Sequence, residues 1–425
     1  METHLTADLR DRPEGRRAAE VIRTCVHCGF CNATCPTFQV LGNELDGPRG
    51  RIYLIKRALE GGEVTRETQI HLDRCLTCQA CETTCPSGVR YHELLDIGRA
   101  RVDAQVRRPL AERLQRRALR FLFGSRRRLR AMLRLGNALR FLLPSGLKGR
   151  LLAPGPAEPW PAPRHPRRMV ALNGCVQPVV SPGIDRAAAR LLDAAGVSLT
   201  PAPPGCCGAM DYHLGNQAGG LALARQRIRE WTHALDEGAE AVVITATGCG
   251  AFVQDYGRLF ADDPELAGPA RRVAAAAKDI GRVLAAEELP PLRPPQEPGS
   301  PPSQQPGPPR QSPADGGKVA LHCPCTLQNA LGEADTVREL LAGQGVELAP
   351  VGESIACCGS AGAYSLLQPA LSERIRERKL ADLEAGGPAE IVTGNIGCLH
   401  HLAAGTDRPV RHWVELLAER LPAER

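Results

Sequence analysis

Eight of the seventeen cysteines fall in two twelve-residue windows. Residues 25–36 read C-V-H-C-G-F-C-N-A-T-C-P, and residues 75–86 read C-L-T-C-Q-A-C-E-T-T-C-P. Two-residue gaps let three successive sulfurs converge on one compact inorganic cube. The proline after the fourth cysteine keeps the chain from folding back on the same cube. In runs of this kind the fourth cysteine serves the other of two clusters. The expected 4Fe-4S ligands are therefore Cys25, Cys28, Cys31 and Cys85 at one centre, and Cys75, Cys78, Cys81 and Cys35 at a second. Zinc sites use C-x2-C pairs separated by a longer loop, which two tight triples closing on C-P do not resemble. His27, Arg49, Arg51 and Lys56, near these windows, read as ordinary surface residues.

A second constellation lies further along. M-V-A-L-N-G-C ends at Cys175, G-C-C-G-A contains Cys206 and Cys207, and A-V-V-I-T-A-T-G-C-G contains Cys249. K-V-A-L-H-C-P-C ends at Cys325, A-C-C-G-S contains Cys357 and Cys358, and E-I-V-T-G-N-I-G-C ends at Cys398. Thirty residues lie between Cys175 and Cys206 and thirty-one between Cys325 and Cys357; forty-one follow Cys207 before Cys249 and thirty-nine follow Cys358 before Cys398. Such agreement predicts an internal duplication. Each set is expected at the C-terminal ends of parallel strands, where one crevice collects ligands, and the glycine after each Cys-Cys pair permits the turn that aims both thiols at one centre. Four thiols so gathered suit an iron–sulfur centre or zinc. Cys323 and His401 are candidate extra ligands in the second set, whereas His322 and His400 read as packing residues.

These sites need elements to hold them. The fold class expected is multidomain α+β: a small helical region, 1–105, then a basic helical segment and Pro-rich linker, 106–166. Two duplicated α/β cysteine-rich units follow at 167–288 and 318–425, where Val-rich strands alternate with helices. The linker between them, 289–317, carries eleven prolines from Pro290 to Pro313 and predicts an extended, mobile tether.

The 425-residue chain is 43% hydrophobic but only 4% aromatic, so aliphatic side chains must fill its interiors. The start is polar and lacks the apolar core of an export signal, so its cysteines read as metal ligands in a reducing, cytoplasmic setting. No run of eighteen apolar residues occurs to span a membrane. The net charge of +6 is unevenly held: residues 107–150 have fourteen Arg or Lys and one acid, Glu112. Their local +13 leaves the remainder at about −7, which argues against nucleic acid as a partner and for a local docking device. Arginine beside Phe121, Leu122, Phe123, Phe141, Leu142 and Leu143 predicts an interfacial helix pair, peripheral on the cytoplasmic membrane face. No G-x-G-x-x-G, P-loop or H-E-x-x-H occurs, so hydride chemistry falls to another chain.

From end to end the sequence resembles the iron-sulfur subunit family of glycolate oxidase (glycolate dehydrogenase). D-G-P-R-G-R from Asp46, L-N-G-C-V-Q-P from Leu172, P-G-C-C-G-A from Pro204 and T-G-C-G from Thr247 carry the resemblance. So do P-C-T-L-Q from Pro324, C-C-G-S-A-G from Cys357 and N-I-G-C from Asn395. The resemblance implies a complex with two flavin-type subunits, whose FAD oxidises glycolate to glyoxylate while this chain relays electrons toward quinone or another acceptor. Lactate or anaerobic glycerol-3-phosphate dehydrogenases and heterodisulfide-reductase-like enzymes are the neighbouring alternatives. The fuller Cys-Cys-Gly pattern ends in C-x-x-C. Here Phe252 and His401 stand where the last thiols would be, which argues against five-thiolate centres in either half.

Overall fold

The computed structural model describes residues 1–142, 155, 159–293, 317–352 and 357–422. Most of the expected proline-rich tether and Leu143 lie outside these residues.

The N-terminal region is helical. Helices α1 (Pro13–Thr24), α2 (Pro48–Leu59) and α3 (Tyr91–Gln105) form its frame. Proline opens α1 and α2 at the first-turn position, where the missing N–H costs nothing. Ile52, Ile55 and Leu59 recur on one face of α2 and bury against Ile22, Leu94 and Leu95. α3 approaches closely because Gly98 has no side chain: a Cβ there would sit 2.5 Å from Ile55 Cγ1. The basic segment forms α4 (Leu110–Phe123) and α5 (Arg126–Ala138), broken at Gly124-Ser125 as the sequence predicts.

Next come two parallel sheets. The first contains β1 (Arg167–Ala171), β2 (Val197–Pro201), β3 (Val242–Ile244) and β4 (Ala277–Asp279) in the order β2-β1-β3-β4. The second contains β5 (Val319–His322), β6 (Glu390–Thr393) and β7 (Val410–His412) in that order. The strand expected before the second Cys-Cys pair shrinks to one bridge, Leu348 to Val319, on the flank of β5 that β2 occupies on β1. Pro350 cannot donate to a longer ladder.

The two units pack through two pairs of helices. α6 (Gly183–Ala194), which follows β1, lies on α11 (Trp413–Glu419), which follows β7. Reciprocally, α8 (Ile280–Ala285), after β4, lies on α9 (Ala334–Gly343), after β5. One core runs through both, from Ile184 and Leu192 to Leu341, Val392 and Trp413. His412 locks the seam: Nε2 donates to the Thr245 carbonyl of the first unit at 3.0 Å, while Nδ1 accepts from Val414 N at the start of α11. Burial pushes His412 down to about 4, so the ring is neutral and can fill both roles.

The N-terminal region bears on both units. Toward the first its contacts are polar: Gln217 donates to the Asp96 carbonyl, and Arg258 lies 3.6 Å from the Asp96 carboxylate. Toward the second they include Asn329 Nδ2 to Cys78 O, 2.9 Å, and Tyr364 OH to Arg74 O, 3.1 Å.

Candidate metal centres

The two N-terminal cysteine loops have matching backbones. His27 and Gly29 in one, Thr77 and Gln79 in the other, all take positive φ (58°, 88°, 54° and 58°). Left-handed residues at alternate positions curl each loop so that its thiols face inward. Three of the four are not glycine and cost on the order of 1 kcal/mol each, strain that a loop closing round a ligand is built to hold. Cys25, Cys28, Cys31, Cys81 and Cys85 line one cavity, beside Pro48, Val89 and Tyr91. Cys35, Cys75, Cys78 and Cys81 line the adjoining one. Each expected set lines one of these cavities, and Cys81 reaches both. The donor chemistry fits a cluster in each. Burial pushes Cys31 up to about 11, with Cys25 adding to it, and raises Cys78 and Cys81 well above the ordinary thiol range. A cation among these sulfurs is what would make them all thiolates.

Arg51 is not the surface residue the sequence reading expects. Its side chain is 1% exposed. Nε donates to His71 O at 2.8 Å, Nη2 to Thr37 Oγ1 at 3.1 Å, and Nη1 lies 4.0 Å from Cys35 Sγ. Asp46, equally buried, balances its charge and also holds His71 and Arg74 at 2.9 Å. A buried guanidinium therefore stands beside the second cysteine set. Arg49 is half-buried, donating to Glu44 and to His27 O. Lys56 pairs with Glu60 at 2.6 Å.

In the first cysteine-rich unit Cys206 contacts both Cys175 and Cys207, and Cys207 contacts Cys249. Gly208 makes this possible: its φ is 99°, and a Cβ there would lie 2.3 Å from Gly220 O. Hydrogen bonds from its neighbours hold Cys206 well below the ordinary thiol range, while Cys175 and Cys207 are raised in consequence. The sequence reading places Cys249 and Cys398 at strand ends. They sit instead in the first turns of α7 (Thr247–Gln254) and α10 (Ile396–Ala403). The strands stop at Ile244 and Thr393, and the helices start within three residues. Near a helix N-terminus a thiolate is favoured, so this placement serves a ligand better than a strand end. Phe252 packs with Tyr212, His213 and Tyr256, completing an aromatic cluster where the fuller motif has its last thiol.

The second unit repeats the chain of sulfurs. Cys325 Sγ is 3.9 Å from Cys357 Sγ, Cys357 contacts Cys358, and Cys358 contacts Cys398. Gly359 has φ 91° and tolerates no Cβ, which would fall 2.5 Å from Ser372 O. His401 is turned to this loop, its Nε2 3.1 Å from Ser372 Oγ, and Cys323 Sγ faces the Pro324 carbonyl at 3.9 Å. The histidine gathered with the thiols is His322, whose ring lies with Cys358 and Cys398 in a group of ligand atoms all within 4.8 Å of one another. Sequence reasoning gave it a packing role. The signal was its place at the end of β5, where the first unit's matching segment has Asn173.

Of the two cysteine-rich sets, the second shares an apolar cluster with Cys78 of the N-terminal region. The burial that raises Cys78 is reinforced by Cys325, and Cys357 likewise senses Cys78. Val40, Leu76, Tyr364 and Ile375 enclose the junction.

A helical region with two four-cysteine sites, joined to two parallel α/β units that each gather further cysteines, defines an iron–sulfur protein of the dicluster class with cysteine-rich domains. Residues 21–89 match the 4Fe-4S dicluster domain, and 169–254 and 319–403 each match the Cysteine-rich domain. The glycolate oxidase iron-sulfur subunit of Escherichia coli (strain K12) is 48% identical over 426 residues, covering 100% of both chains. The probable glycolate oxidase iron-sulfur subunit of Bacillus subtilis (strain 168) is 30% identical over 90% of this chain and 89% of its own. Lactate utilization protein A of Shouchella clausii (strain KSM-K16) is 26% identical over 57% of this chain and 95% of its own. The chain belongs to the glycolate oxidase iron-sulfur subunit family.

Proposed function

We propose that this chain is the electron-transfer subunit of a glycolate dehydrogenase. It takes electrons from FAD on partner flavin subunits, where glycolate becomes glyoxylate, and delivers them toward quinone or another acceptor. The observation that carries the reading is the succession of cysteine sites, from exposed Cys28 through the second N-terminal set to Cys325 and Cys357. Bound there, 4Fe-4S clusters would supply reversible one-electron storage, held by Cys25, Cys28, Cys31 and Cys85 and by Cys35, Cys75, Cys78 and Cys81. Val26 and Phe30 flank Cys28 on the surface and give the flavin partner an apolar edge to approach. Leu76, Val40 and Tyr364 keep water from the inner junction, which limits reorganisation when charge moves. We read the two cysteine-rich units as a duplication, with domain divisions at 105, 166, 288 and 317, on the strength of their common strand order and spacing.

α4 and α5 bear on membrane contact. Leu129 and Leu133 pack inward on Val179 and Val180, and Arg126 donates to Gly174 O at 2.7 Å, so part of this basic segment is internal. Leu114, Phe121, Leu135 and Phe141 are exposed beside the remaining arginines. No helix among the described residues is long and apolar enough to cross a membrane. We assign this face to peripheral contact with anionic lipid; sedimentation with anionic vesicles, reversed by salt, is the expected result.

The test of the main reading is anaerobic co-purification with the flavin subunits, iron and sulfide analysis, and glycolate-dependent dye reduction. About eight or more irons per chain are expected, and Cys28→Ser or Cys78→Ser abolishes turnover. A metal content of zinc alone would sink the reading. Faster reduction with lactate or glycerol 3-phosphate would instead select the alternative partner.

A further inference from the structure

We infer that the second cysteine-rich unit holds a mixed thiolate–imidazole iron–sulfur centre, with His322 Nε2 as its nitrogen ligand. The inference rests on the redox reading above and deepens it. His322 is 0% exposed at the end of β5. Its Nδ1 is 2.9 Å from Thr393 Oγ1 on the paired strand β6, while its Nε2 is buried with no hydrogen-bond partner. An orphaned buried polar nitrogen is costly, and a fold keeps one where something else satisfies it. What lies within reach is sulfur: the ligand atoms of His322, Cys358 and Cys398 fall within 4.8 Å of one another, all buried.

The strand pairing supplies a partner for the other ring nitrogen. His322 and Thr393 are register partners in β5 and β6. With Nδ1–H donating to Thr393 Oγ1, Nε2 keeps its lone pair free to bind metal. A hydrogen bond on the far nitrogen is how ligating imidazoles are generally oriented.

Donor number selects the kind of centre. Cys325, Cys357, Cys358 and Cys398 form a connected chain of sulfurs, and His322 adds a fifth donor at the Cys398 end. One tetrahedral zinc takes four ligands, so five donors point to a polynuclear iron–sulfur centre. Among the described residues the first unit has no such nitrogen. Asn173 occupies the matching place, with its Nδ2 donated to Ala202 O and its Oδ1 accepting from Arg126. Exchanging thiolate for neutral imidazole removes negative charge and raises the reduction potential of an iron–sulfur centre. The second unit therefore holds the higher-potential neighbour of the all-cysteine site to which Cys78 belongs.

The experiment is pulsed EPR on the full chain, purified anaerobically with 14N- or 15N-labelled histidine and poised at a series of potentials. A strongly coupled imidazole nitrogen is expected on one centre, which reduces at a higher potential than the others. His322→Asn, which copies the first unit, is expected to remove that coupling while leaving the signals of the two N-terminal clusters. Thr393→Val keeps the ligand but removes its orienting partner, and is expected to change the coupling even if His322→Asn fails to accumulate. The proposal is overturned by wild-type protein whose centres show no histidine nitrogen, by coupling that persists in His322→Asn, or by zinc at this site. In each of those cases the N-terminal cluster signals and glycolate turnover remain as tests of the relay reading by themselves.

Discussion

The two cysteine-rich units share a strand order and a Cys-Cys-Gly turn, yet they place different chemistry around it. In the first, four cysteines form the set, and the contacts with the N-terminal region are ionic, centred on Asp96 and Arg258. In the second, a histidine lies with two of the thiols, and Cys78 shares an apolar junction with Cys325 and Cys357. The shared fold specifies only where thiols can meet. What the meeting point does depends on the residue ending one strand and on which outside element is packed against it.

The sharpest way to break this comparison is to remove one thiol from each unit. Cys357→Ser is expected to cut glycolate-dependent dye reduction by about 100-fold or more, a loss of roughly 2.7 kcal/mol in transfer efficiency, while Cys206→Ser leaves most of it. Equal losses in the two variants would remove the distinction between a unit on the path and a unit beside it.

Acid pH probes the seam between the units. His412 is buried and His400 half-buried between the two units, and desolvation pushes both down to about 4. Between about 4 and 6.5 the unfolded chain binds protons that the folded chain excludes, so stability is full above 6.5 and falls as pH drops toward 4. Each such histidine contributes a slope of about 1.4 kcal/mol per pH unit well below 6.5. Chemical denaturation followed from pH 7 to 5 is expected to show the loss. His412→Gln, which retains a donor toward Thr245 O, should flatten its share; an unchanged slope would mean that the seam is not where the proton acts.

The smallest expected effect sharpens the contrast between the two N-terminal sites. Arg51→Gln is expected to lower the midpoint potential of the cluster held by Cys35, Cys75, Cys78 and Cys81 by on the order of 60 mV, equivalent to about 1.4 kcal/mol for one electron. Arg51→Lys should move it less, and the other cluster should hold still. Redox titration with EPR detection resolves the two.

The sequence by itself marked out the eight N-terminal cysteines and led to the expectation of their crossed grouping, because short fixed gaps leave a chain few ways to present sulfur. It also determined the parallel strands and the turns at Gly208 and Gly359, since a Cys-Cys pair followed by glycine has one economical way to bend. Only the tertiary structure decided that Arg51 is buried, that Cys249 and Cys398 begin helices, that His322 rather than His401 faces Cys358 and Cys398, and that Cys78 meets the second unit. Each of those facts depends on groups far apart in the chain, brought together by packing that no local spacing encodes.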